Sequence, residues 1–428
     1  MQTNNSGKLT VAVIGAGVVG LSTARWLQKK GLDVVLVDPT PPLPGVSFRN
    51  AASFGNAATI APSGIFPTAA PGILWKVPGM LLRRDGPLAL YWRDLLDLAP
   101  WLAAFISASL RSRQDGTISA LASLMKVIEQ GHASLMEEVG GIRLTRGRGS
   151  IHLYRTEEEA QNAKKSNFRR RAEGIEAKYL SQGEIAALEP NLAPGYVGGT
   201  LFPGCFVVDS PEAYCRGLAE IIQKHGGRFV TAKVERIESS TDGVQLHTGG
   251  GQTLLADRIV ISAGAWSRGL SNQLGDRLTM NTERGYHVAF AHNEPLLTHP
   301  VMYPSDGFFL TPLSHQIRAA GTVDLGGLDK PAGHSRLDVL ERKARQMVPA
   351  LGDREDSWMG FRPSTPDSLP FIGPSHKDPR IIYACGHGHL GLTLGGITGK
   401  FVSELITGDK PSVDLSPFSP ARSMLRLN

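Results

Sequence analysis

A glycine-rich turn near the start of the chain constrains the fold more than any other feature. Residues 9–14 are an apolar run that predicts a buried parallel strand, and residues 15–20 read Gly-Ala-Gly-Val-Val-Gly. Apolar residues then recur at helical spacing, and a second apolar strand, residues 34–37, ends at Asp38. Strand, Gly-x-Gly-x-x-Gly turn, helix, strand and terminal acid together form the fingerprint of a dinucleotide-binding βαβ unit.

Each part of this fingerprint has a physical role. Gly15 permits a tight turn, Gly17 lets a pyrophosphate approach the backbone, and Gly20 lets helix and strand pack closely. The start of the helix, which follows Ala16, presents free N–H groups and a positive partial charge to phosphates. Asp38 can bind ribose hydroxyls and would repel a 2′-phosphate, so the pattern favours FAD or NAD over NADP.

The composition is that of an ordinary globular protein of two or three domains. The chain has 428 residues, of which 41% are hydrophobic and 20% charged. Its formal net charge is +6, but the basic residues are scattered, so nucleic-acid binding is not indicated. Three cysteines, with neither metal spacing nor a disulfide framework, predict a reducing cytoplasm. We expect neither a membrane-spanning helix nor a secretory signal, because apolar runs are short and residues 1–8 are polar.

Two interpretations stay open for residues 81–110, which are apolar and helical but interrupted by charges. With Trp75, Trp92 and Trp101 around it, the segment could lie on a membrane surface. The alternative is two helices of a second domain, which is favoured because the polar face is not uniformly basic. We therefore predict a cytoplasmic protein and leave open a peripheral contact with the inner membrane.

A second glycine-rich turn lies near the other end of the chain. Residues 386–393 read Gly-His-Gly-His-Leu-Gly-Leu-Thr, between a predicted strand at 380–385 and the last helix. The start of that helix favours an electron-rich group, such as the N1 and C2 carbonyl region of a reduced flavin. Two such turns suit a long bipartite cofactor, FAD, because NAD would leave the second turn unexplained. Small residues at 53–59 and 262–266 let backbone lie close to a flat ligand.

One arginine is the best candidate for binding a substrate. Arg362 lies in the run Gly-Phe-Arg-Pro, where a fixed guanidinium could bind a carboxylate through two parallel hydrogen bonds. A structural arginine that bonds loop carbonyls is the alternative. Tyr286 is a candidate second contact or an ordinary strand tyrosine, and His389 is a candidate pocket residue. His387 and His389 form no metal site, because no third ligand is spaced with them, so no metal is predicted.

Five motifs, in this order, resemble the FAD-dependent D-amino-acid dehydrogenase family of the glycine/D-amino-acid oxidase group. They are the 15–20 fingerprint, Ser53-Phe54-x-Asn56-Ala57, Ser262-Ala263-Gly264-Ala265-Trp266, Arg362-Pro363-x-Thr365-Pro366-Asp367 and Gly386-His387-Gly388. The resemblance covers essentially the whole chain. It implies an α/β fold with a discontinuous Rossmann-like FAD-binding domain and a second α+β substrate domain built on an antiparallel sheet. The implied boundaries are 1–66, 189–278 and 357–428 for FAD, and 67–188 and 279–356 for substrate.

The resemblance also implies which residues hold FAD and substrate. Arg362 would bind the substrate carboxylate, helped by Tyr286, with His389 in the pocket. The ADP half, the adenine, the flavin and its pyrimidine edge would be held by Gly15, Ala16, Gly17, Gly20, Asp38, Ser53, Asn56, Ala57, Val234, Ala263, Gly264, Gly386, Gly388 and Leu390.

Two departures leave the substrate open. Relatives often have Asn-Ala-Gly-Gln at 56–59, and many have Thr and Trp where this chain has His389 and Leu392. The present version is similar to the branch that acts on D-hydroxyproline and other cyclic imino acids. The predicted reaction is hydride transfer from Cα of a D-amino acid or a D-proline-like imino acid to FAD. The products are an imino acid and then a 2-oxo acid, or a pyrroline carboxylate.

The predicted electron acceptor is a quinone, another electron carrier or oxygen. The predicted role is the catabolism of D-amino acids or hydroxyproline. Three alternatives remain. They are an NAD-dependent dehydrogenase, a sarcosine- or glycine-type FAD oxidase, and an FAD-binding module without turnover.

Overall fold

The computed structural model describes residues 8–73, 88–90, 95–140, 145–292, 294–328 and 333–422. Its α-helices are α1 Val18–Lys29, α2 Leu95–Ala108, α3 Arg111–Met125, α4 Ile128–Glu138, α5 Glu157–Ala172, α6 Gln182–Leu188, α7 Pro211–Lys224, α8 Ser267–Gln273, α9 His334–Met347 and α10 Gly391–Thr407. Short 3₁₀ helices occupy Gly264–Trp266, Gly388–Leu390 and Ser416–Phe418.

The strands follow the same chain order. They are β1 Thr10–Ile14, β2 Asp33–Asp38, β3 Thr59–Ile60, β4 Leu88–Leu90, β5 Thr145–Arg148, β6 Ile151–Tyr154, β7 Lys178–Ser181, β8 Gly198–Leu201, β9 Phe206–Val208, β10 Arg228–Thr231, β11 Val234–Ser240, β12 Gly243–Thr248, β13 Thr253–Ala256, β14 Arg258–Ile261, β15 Asn281–Ala291, β16 Val301–Tyr303, β17 Phe308–Pro312, β18 Gln316–Leu325, β19 Arg354–Ser364, β20 Phe371–Pro374 and β21 Ile381–Cys385.

The first large sheet contains the predicted βαβ unit. Its order is β10-β2-β1-β14-β21-β20, and only β20 runs antiparallel to its neighbour. β1 and β21 are buried along almost their whole length, as expected for parallel strands that are covered on both faces. Helices α1 and α10 pack against each other over this sheet, where a Cβ on Gly399 would lie 2.7 Å from the backbone nitrogen of Thr23.

The second large sheet is mostly antiparallel. Its order is β19-β15-β18-β17-β16-β6-β8-β7, and β4 pairs with β18. Apolar side chains of β15, β17 and β18 pack with helix α9 into a separate core. The predicted class is confirmed, since a Rossmann-like parallel sheet and an antiparallel sheet are joined in one chain.

The parallel sheet takes its strands from three separate parts of the chain, 10–38, 228–261 and 371–385. Two predicted boundaries fall inside the second sheet. Strand β8, which lies in the segment 189–278, pairs with β6 and β7, and β19 crosses the boundary at 357 as one continuous strand. β8 and all of β19 therefore belong to the second sheet, and the division of the chain into domains stays a prediction.

Two helical predictions also change. The predicted amphipathic helix at 119–139 is two helices, α3 and α4, because Val127 leaves helical geometry at φ −119° and ψ 9°. The turn lets α4 pack closely on α10, where a Cβ on Gly396 would lie 2.8 Å from the carbonyl oxygen of Gly131.

The segment 81–110 is described only in part, and Trp75 and Trp92 lie outside the described residues. Trp101 on α2 is buried, and its Nε1 donates a hydrogen bond to the carbonyl of Ser364 at 3.0 Å. No helix in the described ranges is both long enough and apolar enough to cross a membrane.

Candidate active site

The first glycine turn joins the carboxyl end of β1 to α1. Gly15 has a φ of +101°, and a Cβ there would lie 2.5 Å from the carbonyl oxygen of Ser262, so a larger residue does not fit. The Gly15 N–H donates to the carbonyl of Val37 at 2.9 Å, and the Ser262 hydroxyl donates to the carbonyl of Ile14 at 2.9 Å. The turn is thus fixed between β2 and β14, at the edge where open α/β sheets bind their ligands.

Two side chains accept hydrogen bonds from the backbone of this turn. The N–H of Ala16 donates to the Asp38 carboxylate at 2.8 Å, and the N–H of Val18 donates to the Ser53 hydroxyl at 2.9 Å. Burial raises the pKa of Asp38, although hydrogen bonds from Ala16 and Thr40 oppose that rise. Asp38 and Ser53 therefore both lie at the start of α1, beside the glycines.

The second glycine turn reaches the same region from β21. Gly386 and Gly388 have φ of +80° and +53°, and the His387 ring bonds the Thr398 hydroxyl on α10 at 3.0 Å. Burial lowers the pKa of His387 to about 4, so this ring is neutral at pH 7. Leu390 packs near Gly64, where an added Cβ would lie 3.1 Å from its Cδ2. Both glycine turns therefore contact the segment 53–64.

The segment 53–59 is bound tightly to the second sheet. Arg318 is almost fully buried and donates hydrogen bonds to the carbonyls of Phe54 and Asn56 at 3.2 and 3.1 Å. The Thr311 hydroxyl donates to the carbonyl of Ala57 at 2.8 Å. The Asn56 side chain bonds backbone within its own segment, through the carbonyl of Ser53 and the N–H of Ala58. The segment is thus a rigid strip between the two sheets.

Three further predicted residues lie near the first turn. A Cβ on Gly15 would lie 2.9 Å from the Cα of Ala263, and Gly264 begins the 3₁₀ helix that follows. Val234 begins β11 and packs in the apolar cluster that contains Ile14 and Val37.

Arg362 lies on β19, beside the second glycine turn. Ser364, two residues further on, forms a β-bridge with His387. The Arg362 guanidinium lies directly over Gly285 of β15, where a Cβ would be 2.5 Å from Nε and Nη2. Among the described residues its hydrogen bond is to the carbonyl of Thr322 at 3.4 Å, which leaves most of its five N–H donors for a ligand.

Thr322 holds an unusual backbone conformation at this point. Its φ is +52°, which is rare for a β-branched residue, and the pairing of β15 with β18 shifts register here. Such a bulge re-aims the backbone, and here it accompanies the hydrogen bond from Arg362 to the carbonyl of Thr322.

Glu283 lies directly opposite Arg362 in the antiparallel pair of β15 and β19. Both side chains keep some accessible surface, although protein surrounds them. Burial raises the pKa of Glu283, while the Arg362 charge and the Ser364 hydroxyl oppose the rise. Burial lowers the pKa of Arg362, and Glu283 opposes that change. Arg362 and Glu283 therefore place a cation and a titratable carboxyl side by side, and we call the partly exposed surface that they form with His389 the cleft.

Comparison with known families identifies the family to which the chain belongs. Residues 10–405 match the family described as FAD dependent oxidoreductase. The chain belongs to this family. Because the matched region spans both glycine turns and Arg362, the whole candidate site lies within the FAD-dependent oxidoreductase region.

Relatives support the same placement. The D-amino-acid oxidase of Bradyrhizobium diazoefficiens is 34% identical over 421 residues, covering 96% of this chain and 98% of the relative. The D-amino acid dehydrogenase of Methylobacterium nodulans is 30% identical, covering 97% of this chain and 99% of the relative. Among solved structures, glycine oxidase from Geobacillus kaustophilus has a TM-score of 0.75 at 25% identity, over 97% of this chain and 99% of that one.

The cofactor of this FAD-dependent oxidoreductase is FAD, and the residues present fit it. Both glycine turns open at one edge of the parallel sheet, and α1 and the helix of the second turn begin there. Gly17 keeps the first turn open, since a Cβ there would lie 3.2 Å from the Ser53 hydroxyl. Asp38 lies at the end of β2, where the prediction places an acceptor for ribose hydroxyls. The match to the FAD dependent oxidoreductase family, rather than these residues, sets aside an NAD-dependent dehydrogenase.

The structure does not bring Tyr286 to Arg362. Side chains alternate along β15, so Glu283 and Gly285 lie on the face of Arg362, whereas Tyr286 points into the core of the second sheet. Its hydroxyl donates to the Asp324 carboxylate at 2.7 Å, and its side chain is fully buried. The hypothesis of a second carboxylate contact at Tyr286 is therefore corrected to a core role.

His389, in contrast, does lie near Arg362. Its side chain is exposed in this structure, while the protein around the ring and the nearby Arg362 charge lower its pKa to about 4. The imidazole is thus neutral at pH 7, and it can share hydrogen bonds with a ligand without adding charge.

The cysteines are separate from this site. All three, Cys205, Cys215 and Cys385, are free and buried. Within the described part of the chain, no three His, Cys, Asp or Glu side chains are grouped so that they could hold a metal ion. The residue beside Arg362 that the sequence analysis did not single out is Glu283. Its only signal was its place two residues before Gly285, which has meaning only once the register with Arg362 is known.

Proposed function

We propose that this FAD-dependent oxidoreductase oxidises a D-amino acid or a cyclic imino acid of the D-proline or D-hydroxyproline kind. The observation that carries the proposal is Arg362, a partly exposed guanidinium with one long hydrogen bond to protein among the described residues. Such a group is built to take a carboxylate. The names of the relatives, D-amino-acid oxidase and D-amino acid dehydrogenase, support an amino acid as the donor.

In this proposal the side chains position the substrate and FAD supplies the electron-accepting chemistry when bound. Arg362 holds the carboxylate in one orientation, because its guanidinium is fixed over Gly285 and against the carbonyl of Thr322. Fixed orientation of the reacting Cα accounts for much of the rate acceleration in such sites. His389 lines the cleft as a neutral group. The product is an imino acid, which hydrolyses to a 2-oxo acid, or a pyrroline carboxylate from a cyclic substrate.

A second candidate is a glycine- or sarcosine-type oxidase. The observation that favours it is the likeness to glycine oxidase from Geobacillus kaustophilus at a TM-score of 0.75. The acceptor in either case is a quinone, another carrier or oxygen, since relatives are named both oxidase and dehydrogenase.

Anaerobic reduction of the bound flavin tests the proposal directly. The purified holoenzyme is mixed with D-alanine, D-proline, the hydroxyproline isomers, glycine and sarcosine, and loss of flavin absorbance is followed by stopped flow. We expect D-amino or D-imino acids to reduce the flavin much faster than their L-enantiomers. Faster reduction by glycine or sarcosine would support the second candidate, and no reduction by any of these compounds would refute both.

A further inference from the structure

We propose that Glu283 binds the amino group of the substrate while Arg362 binds its carboxylate, so that the cleft selects a zwitterion. This inference rests on the proposed function and adds the group that recognises the nitrogen. Its basis is the placement of two opposite charges on one face of the second sheet.

The register of β15 and β19 places the two residues together. Glu283 and Arg362 are direct Cα partners in the antiparallel pair. Side chains of directly opposed residues project to the same face with Cβ atoms about 5 Å apart. That face is the one over which the Arg362 guanidinium lies on Gly285, and the core packs against the opposite face.

The two charges do not neutralise each other directly. Arg362 makes its hydrogen bond to the carbonyl of Thr322, and within the described residues no ion pair of 4.0 Å or less joins it to Glu283. Both side chains nevertheless share surface on the cleft and are surrounded by protein. The Ser364 hydroxyl donates a hydrogen bond to the Glu283 carboxyl, but no cation within 4.0 Å pairs with it among the described residues. A buried carboxylate is stabilised by such a cation, and an incoming ammonium would supply one.

The chemistry of the pair defines its ligand. A guanidinium offers parallel donors to a carboxylate, and a glutamate offers acceptors to an ammonium or secondary amine. His389, which lies nearby, is neutral at pH 7 and adds no charge that would attract either end of the ligand. A cation and an anion side by side therefore complement an α-amino acid better than a simple carboxylic acid.

A matched pair of unreactive ligands tests this inference. 2-Aminoisobutyrate is a zwitterion without a Cα hydrogen, and pivalate is its analogue in which a methyl group replaces the amine. Binding of each to the FAD-loaded enzyme is measured by isothermal calorimetry and by the change in flavin absorbance. Neither readout depends on turnover.

In Glu283→Gln we expect 2-aminoisobutyrate to bind about 10- to 100-fold more weakly, the ratio typical of a lost hydrogen bond to a charged group. Pivalate should bind equally well or more tightly, because the negative charge that competes for Arg362 is gone. Glu355→Gln, the same substitution at an exposed site on β19, should change neither affinity. Arg362→Met should weaken both ligands.

Three results would overturn the inference. The first is equal weakening of both ligands in Glu283→Gln with FAD retained, which is the signature of a structural role. The second is unchanged affinity for 2-aminoisobutyrate in that variant. The third is failure of 2-aminoisobutyrate to bind the wild-type enzyme, which would refute the proposed function itself. Glu283→Asp, which keeps the charge on a shorter side chain, should recover part of the affinity for 2-aminoisobutyrate even if the amide variant folds poorly.

Discussion

Gly285 is the position where a single added methyl group tests how precisely Arg362 must be placed. In Gly285→Ala the new Cβ would lie 2.5 Å from Nε and Nη2 of Arg362, whereas ordinary contact begins near 3.4 Å. The guanidinium must therefore move by about 1 Å, and it can do so because it is the end of a flexible side chain. Gly285 has no positive φ, so the backbone itself accepts alanine.

A shift of about 1 Å in a positioning group can lower the rate by about 100-fold. We therefore expect kcat/KM of Gly285→Ala for the best D-amino acid to fall by about 100-fold, with the charge of Arg362 and the bound FAD retained. Alanine in place of glycine should leave the free energy of unfolding unchanged or raise it by about 0.5 kcal/mol, since it restricts the unfolded chain.

The assay is anaerobic flavin reduction by stopped flow, together with a thermal melt of the same preparation. Gly269→Ala on α8 is the matched control, because nothing lies within 4 Å of a Cβ there. The reasoning is refuted if folded Gly285→Ala keeps the full rate. Loss of FAD or of the thermal transition would equally contradict the expectation of a purely local shift.

Three further predictions concern other residues of the site. Arg362→Met should keep its yellow colour but lose about 2–5 kcal/mol of substrate binding, so KM should rise at least 30-fold; unchanged KM would contradict the assignment. Asp38→Ala should raise the dissociation constant of FAD about tenfold, measured after dialysis by flavin fluorescence, because both the ribose acceptor and the bond to the Ala16 N–H are lost. The pKa of His387 is lowered by burial to about 4 in the folded state, whereas in the unfolded state it is near 6.5. The neutral ring therefore stabilises the folded state fully above pH 6.5, and this stabilisation is lost as the pH falls towards 4. Because of this group, the free energy of unfolding measured in urea should be about 2 kcal/mol lower at pH 5 than at pH 7. His387→Gln should reduce this dependence on pH, and the same dependence in both proteins would argue against the prediction.

The fingerprint at 15–20 could be predicted because its information is local. A buried strand, a turn that only glycine permits and an amphipathic helix follow one another within thirty residues, and the structure reproduces them. The same local reasoning located the second turn at 386–390. The meeting of the two turns was inferred from the size of FAD rather than from spacing.

Features that depend on pairing between distant strands could not be predicted in this way. Whether Tyr286 or Glu283 faces Arg362 depends on the register of β15 with β19, about 80 residues further along the chain. A shift of one residue in that register exchanges the two faces, and sequence periodicity does not fix it. The assignment of β8 to the second sheet has the same origin, since its short Gly-Gly-Thr-Leu sequence does not reveal its partners.

The strip at residues 53–59 has a consequence for how the molecule works as a whole. Through Ser53 it accepts a hydrogen bond from Val18, next to the first glycine turn. The buried Arg318 of the second sheet donates hydrogen bonds to two of its carbonyls. A hinge motion that separated the two large sheets would break the hydrogen bonds from Arg318 to the carbonyls of Phe54 and Asn56. Because Arg318 is buried, water could not readily replace them. We therefore expect the two large sheets to unfold together and to release the bound flavin in the same thermal transition.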